Sequence, residues 1–220
     1  MTARVAVTIE SSPKKTFASA LDWPGWSRAG KDEGLALEAL ASYAVRYRAI
    51  ADKAGEPFPP DSPAFDILET VKGGSGTEFG VPSAITELDH RHVSAAEAAR
   101  LARLVEAAWA VFDRIATATP AELRKGPRGG GRDRDKMIGH VIESDHWYAR
   151  EIGVRVPTPS LEDRGAVEAE RSAMLEVLAQ PSDGSGLAGR TWTARYAARR
   201  IAWHALDHAW EMEDRSEPSD

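Results

Sequence analysis

Residues 195–215, RYAARRIAWHALDHAWEMEDR, constrain this chain more than any other stretch. Ala197, Ile201, His204, Ala205, His208 and Met212 recur at three- and four-residue steps, which predicts one amphipathic helix. His204 and His208 then stand one turn apart on the apolar stripe. Two neutral imidazoles at that spacing can hold one metal ion, and the same spacing fits two ordinary core histidines with hydrogen-bond partners. Residues 133–153, DRDKMIGHVIESDHWYAREIG, predict a second amphipathic helix. Met137, Val141, Ser144 and Tyr148 mark its inner face, and His140 lies on that face. Packed side by side, the two helices bring three imidazoles together and leave a fourth position for water or substrate. His146 lies off that face and is left out of the site.

The chain has no cysteine. Disulfides, a thiol nucleophile and thiolate ligands are thereby excluded, and His and carboxylate remain as the strong metal ligands. Any thiol in the chemistry comes from a small-molecule partner. A net charge of −6 and a pI of about 5.6 leave no overall electrostatic footprint for nucleic acid. No apolar run is long enough to span a bilayer. The first residues lack the continuous apolar segment of a signal peptide, so the expectation is a cytoplasmic protein without nucleic-acid or membrane partners.

Val5, Val7 and Ile9 alternate with Ala6 and Thr8 and predict a first strand. Residues 16–21 predict a second, and residues 26–29 a short third after the turn Asp22-Trp23-Pro24-Gly25. Trp23 and Trp26 fit either a binding surface or packing between sheet and helix. Asp32 is the N-cap of a helix with Leu35, Ala36, Ala39, Leu40, Tyr43 and Tyr47 on one face. Residues 65–71 predict another strand. Gly73, Gly74 and Gly76 predict a turn without a phosphate-binding fingerprint. Residues 81–93 read as a linker in which His90 and His92 are either solvated or an adventitious metal pair. Ser94 and Glu97 form a capping box that opens a helix with Leu101, Leu104, Val105, Ala108, Trp109, Phe112 and Ile115 on its buried face. A further, more polar helix is expected over residues 161–178.

The expected class is α+β: a small α/β module over residues 1–80, a linker over 81–93, an up-down-up-down four-helix bundle over 94–215 and a tail over 216–220. In that topology the second and fourth helices run parallel. Arg128, Arg132 and Arg134 would then adjoin Arg195 and Arg199, as an anion clamp for a carboxylate-bearing thiol or substrate, or as a solvated loop and a wet helix end. Glu143, Asp145, Asp207 and Glu211 read either as carboxylates that orient an imidazole or as surface charges.

His140 in MIGHVIESDHWY, with His204 and His208 in IAWHALDHAWEMEDR, resembles the DinB/YfiT-like metal-dependent superfamily over residues 94–215. Residues 17–40, FASALDWPGWSRAGKDEGLALEAL, resemble the small HicB-like α/β fold, which carries no function over because no DNA-binding module accompanies it. The first resemblance implies a divalent metal held by His140, His204 and His208. Zinc suits three imidazoles best, and nickel, iron or manganese are compatible. It also implies a low-molecular-weight thiol such as mycothiol or bacillithiol, transfer or isomerisation of a small electrophile, and a homodimer. Arg128, Arg132 and Arg195 are the candidate cofactor-binding residues, and no catalytic residue is named. The alternative is a non-catalytic, metal-stabilised bundle whose N-terminal module contacts a protein or small-molecule partner.

Overall fold

The computed structural model describes residues 4–59, 63–125 and 131–216. It shows a mixed α/β chain in which a four-stranded sheet and seven α-helices, among the described residues, share one continuous core. Strands β1 (Arg4–Ser11), β2 (Thr16–Ala20), β3 (Ser27–Gly30) and β4 (Ala64–Lys72) lie in the order β3-β2-β1-β4. β1 pairs antiparallel with β2 and parallel with β4. Val5, Val7 and Ile9 are buried, as their alternation predicts. Leu68 has no partner at the register shift beside Val7 and Thr8, and is half exposed.

Helix α1 (Glu33–Ser42) starts at Asp32, whose side chain accepts the Leu35 amide as an N-cap. Tyr43, at φ −90° and ψ 0°, separates it from α2 (Ala44–Ala54), so the single expected helix is two. α1 buries Ala36 and Leu40, which leaves Leu35 on its outer side, 45% exposed. Trp23 and Trp26 pack inside: the Trp26 indole donates to the Leu40 carbonyl at 2.9 Å and stacks on Tyr47 at 5.6 Å. The glycine-rich turn continues into a short helix, α3 (Ser75–Phe79). Residues 81–93 are a docked segment with a 3-10 turn at Glu87–His90. Buried Asp89 accepts Arg199 at 2.6 Å, and the buried Glu10 carboxylate accepts the Ser83 and Ala84 amides at 3.1 Å. These two carboxylates fix what composition alone read as a linker. His90 and His92 are exposed on it.

Helices α4 (Ala95–Ala118), α5 (Arg134–Glu151), α6 (Arg164–Leu178) and α7 (Ala194–Ser216) complete the chain. The Ser94–Glu97 capping box opens α4 as expected. Arg195 meets Glu97 at 2.6 Å, so α4 and α7 start at the same end. α5 runs against both: Arg134 donates to the Thr119 carbonyl at 3.0 Å, and Tyr148 near its other end packs on Trp192 at 5.3 Å. α6 runs parallel to α5: Arg164 at its start lines one cleft with Arg134 and Ile138, and Arg171, two turns on, meets Asp145.

The helices are therefore up-down-down-up, and the expected parallel alignment of α5 with α7 is incorrect. The reason lies in residues 152–163. They return along α5, placing Thr158 at 3.1 Å from His146 and Leu161 against Gly139. Pro157 and Pro159 favour an extended path. At roughly 3.3 Å per residue such a segment reaches about 40 Å, more than the ~27 Å of an 18-residue helix.

The sheet module and α7 meet at close range. Gly25, at φ +92°, sits where a Cβ would lie 2.7 Å from the Leu206 side chain and 3.0 Å from the Ala202 backbone. Phe17 packs edge-on to Trp203, Arg28 pairs with Asp207 at 3.0 Å, and Tyr43 packs on Trp210. Gly25→Ala combines left-handed backbone strain with overpacking, and the expected loss is about 2–4 kcal/mol of unfolding free energy in urea. A loss under ~0.5 kcal/mol, the range of a neutral surface change, would contradict the docking of this turn on α7.

Candidate metal centre

His140, His204 and His208 reach one point from two antiparallel helices. Ala197, Ala198, Ala202, Ala205 and Ala209 are wholly buried along α7 and let its neighbours approach closely. On the side facing α5, the four-residue step places His204 and His208 on adjacent turns. Gly139 precedes His140 on α5, packed against Leu161 from the returning segment.

The imidazole centroids form a near-equilateral triangle of 5.0, 5.0 and 4.7 Å. One ligand atom of each ring lies within 4.8 Å of the others. The Nε2 atoms of His140 and His204 are 3.2 Å apart. Two nitrogens bound tetrahedrally to one ion at about 2.0–2.1 Å would be about 3.3 Å apart, so the donor set fits a divalent metal. His208 presents Nδ1 to the Glu211 carboxylate at 3.2 Å. Donation from Nδ1–H to that carboxylate leaves the Nε2 lone pair free. Glu211 is held in turn by Arg215 at 2.8 Å. The contact with His208, with Arg215 adding to it, outweighs burial and keeps Glu211 below the usual carboxylate range.

Burial, reinforced by His208 and Arg132, lowers His140 to about 4 against the opposing field of Glu211. Burial also holds His204 well below the ordinary value, with His208, Arg200, His140 and Arg132 acting the same way. Both rings are neutral at pH 7, the state a metal ligand requires.

No known family profile, curated protein or solved structure matches the chain. The site therefore rests on its own chemistry.

The other candidates divide clearly. Arg128 lies outside the described residues. Arg132 is exposed, on the side where its charge reaches His140 and His204. Arg195 stands at the far end of α7, paired with Glu97, so Arg132 and Arg195 form no clamp; the antiparallel course of α5 separates them. Arg134 and Arg199 are likewise engaged, by Asp135 and Asp89. Glu211 orients an imidazole, whereas Asp207 pairs with Arg28 and Glu143 is exposed. Asp145 is no surface charge: it is 1% exposed and bound to Arg171 at 3.2 Å.

His146 faces away from the triad, as expected, into a separate polar contact. Its Nδ1 lies 2.6 Å from buried Glu170, and its Nε2 faces the Thr158 hydroxyl. It ties the returning segment to α5 and α6. Sequence reading missed Arg200, which stands one turn before His204. The same four-residue step that singles out His204 and His208 also points to it.

A lowered histidine pKa means that the unfolded chain takes up a proton first as pH falls. Metal-stripped protein should hold its stability above the ordinary value of 6.5 and lose it progressively toward about pH 4 as His140 titrates. Thermal midpoints in chelator, measured from pH 7.5 to about 4, should fall less steeply for His140→Leu than for the wild type. Parallel curves would contradict the burial of a neutral His140.

Proposed function

We propose that this chain is a metal-dependent enzyme of the DinB/YfiT-like kind. It transfers or isomerises a small electrophile with the help of a low-molecular-weight thiol. The observation that carries this reading is the convergence of three imidazoles from α5 and α7, with ligand atoms within 4.8 Å of one another. Zinc suits three imidazoles, and nickel, iron or manganese are accommodated by the same donors. The absence of cysteine assigns the thiol to a small molecule.

When bound, a divalent ion supplies Lewis acidity and stabilises a thiolate at neutral pH. The protein's own contribution is geometric and electrostatic. His140, His204 and His208 offer lone pairs from two helices packed at fixed separation. Glu211 fixes the His208 tautomer and ring angle. Arg132 and Arg200 add positive potential that favours an anionic ligand over its neutral acid.

A second reading has its own support. Val45, Ile67, Leu68 and Phe79 are exposed on the sheet module, Phe79 at 90%. Such residues suit a contact surface, with the metal as a stabiliser of the bundle.

Elemental analysis after chelation and reloading separates the two. The enzyme reading expects about one equivalent of metal per chain. That metal should be absent from a folded variant carrying His140→Ala, His204→Ala and His208→Ala. The loaded wild type should also consume thiol in the presence of a small electrophile. Metal without thiol turnover across a broad screen favours the contact-surface reading, and a wild type that takes up no metal defeats both.

A further inference from the structure

Arg200 is the exception among the arginines of α7. Arg195, Arg199 and Arg215 each meet a carboxylate: Glu97, Asp89 and Glu211 respectively. Arg200 meets aromatic faces instead. Its guanidinium carbon is 5.2 Å from the Tyr148 ring centre and 4.9 Å from that of Trp203. Its Nη1 is buried and faces no acceptor. A buried donor without a partner is destabilising, and water or an anion normally satisfies it.

The position of this guanidinium gives it a use. Arg200 precedes His204 by one helical turn, about 6 Å along the axis, on the same side of α7. The two residues share neighbours: the Tyr148 ring lies 5.6 Å from the His204 ring, and the Trp203 ring 6.3 Å from it. Cation–π contacts with Tyr148 and Trp203 position the guanidinium without occupying its N–H groups. A planar fork so positioned is suited to a carboxylate. The exposed Arg132 strengthens the positive field on the same imidazoles and draws anions toward them.

We infer that Arg200 is the carboxylate-binding residue of the metal centre, and that the small molecule completing the site is an organic acid on a short carbon chain. The inference rests on the proposed metal site. The carboxylate belongs either to the thiol or to the electrophile, and the recognition chemistry is the same.

Cobalt(II)-loaded protein tests this through the thiolate-to-cobalt absorption band, without reference to activity. Wild type, Arg200→Gln and Arg200→Lys are titrated with mercaptoacetate and with 2-mercaptoethanol. Protein saturated with 2-mercaptoethanol is then titrated with succinate. If the thiol carries the acid, Arg200→Gln should weaken mercaptoacetate binding at least about tenfold and leave 2-mercaptoethanol binding and cobalt content unchanged. Arg200→Lys, which keeps the charge, should retain part of that affinity. If the electrophile carries the acid, succinate should perturb the spectrum of the wild type and not that of Arg200→Gln. Mercaptoacetate and succinate responses indifferent to Arg200 would overturn the inference while the cobalt spectrum upholds the metal site. A wild type with no cobalt spectrum would overturn the metal site itself, and this inference with it.

Discussion

Helix α7 is buried around its whole circumference through its middle turns, and the rest of the structure depends on that burial. Alanines on several faces allow α4, α5 and the Asp22-Trp23-Pro24-Gly25 turn to pack against it together. An amphipathic helix needs only one partner. This one also carries Leu206 and Trp210 on the side away from its histidines, with Trp203 between the two sides, and they require a second cover. The sheet module supplies it through Phe17, Gly25, Arg28 and Tyr43. A single core results, in which the N-terminal module forms part of the housing of the helix that bears two of the three site histidines.

The same burial sets the chemistry. Imidazoles taken out of water lose their protons before neutral pH, which prepares them as donors to a cation. Charge is otherwise neutralised locally. Arg199 with Asp89, Arg171 with Asp145 and Asp113, and Arg28 with Asp207 each match a cation to a carboxylate at an element boundary. Pairs of this kind make precise joints more than they add net stability, because desolvation offsets most of their attraction. Beside the histidines the balance differs. Glu211 is already held by Arg215, and neither Arg132 nor Arg200 has a carboxylate partner among the described residues. The local excess of positive charge persists where an anionic ligand would meet the imidazoles.

Much of this was legible in the residues. The Asp32 N-cap, the Ser94–Glu97 capping box and the alternation of Val5, Val7 and Ile9 each state a local rule that the fold obeys. His140, His204 and His208 were found because helical spacing fixes which side chains share a face, whatever the helix packs against. The direction of α5 relative to α7 was not legible. It depends on whether residues 152–163 turn back at once or run the length of a helix, and both paths suit a proline-containing segment. The errors at Arg195 and Asp145 follow from that one ambiguity: reversing α5 moves Arg195 away from the site, and bringing α6 alongside buries Asp145 against Arg171. The docking of residues 81–93 was hidden for another reason. Its cause lies in buried acids, Glu10 and Asp89, whose partners are distant in sequence.

X-ray absorption at the zinc edge tests the central claim most directly, because it reads the donors around the metal and needs no substrate. For zinc-loaded protein, the account predicts three imidazole nitrogens at about 2.0–2.1 Å with one further light atom, and replacement of that atom by a single sulfur at about 2.3 Å when thiol is added. A shell without imidazole scattering, or one closed by a fourth protein ligand that thiol cannot displace, would contradict it.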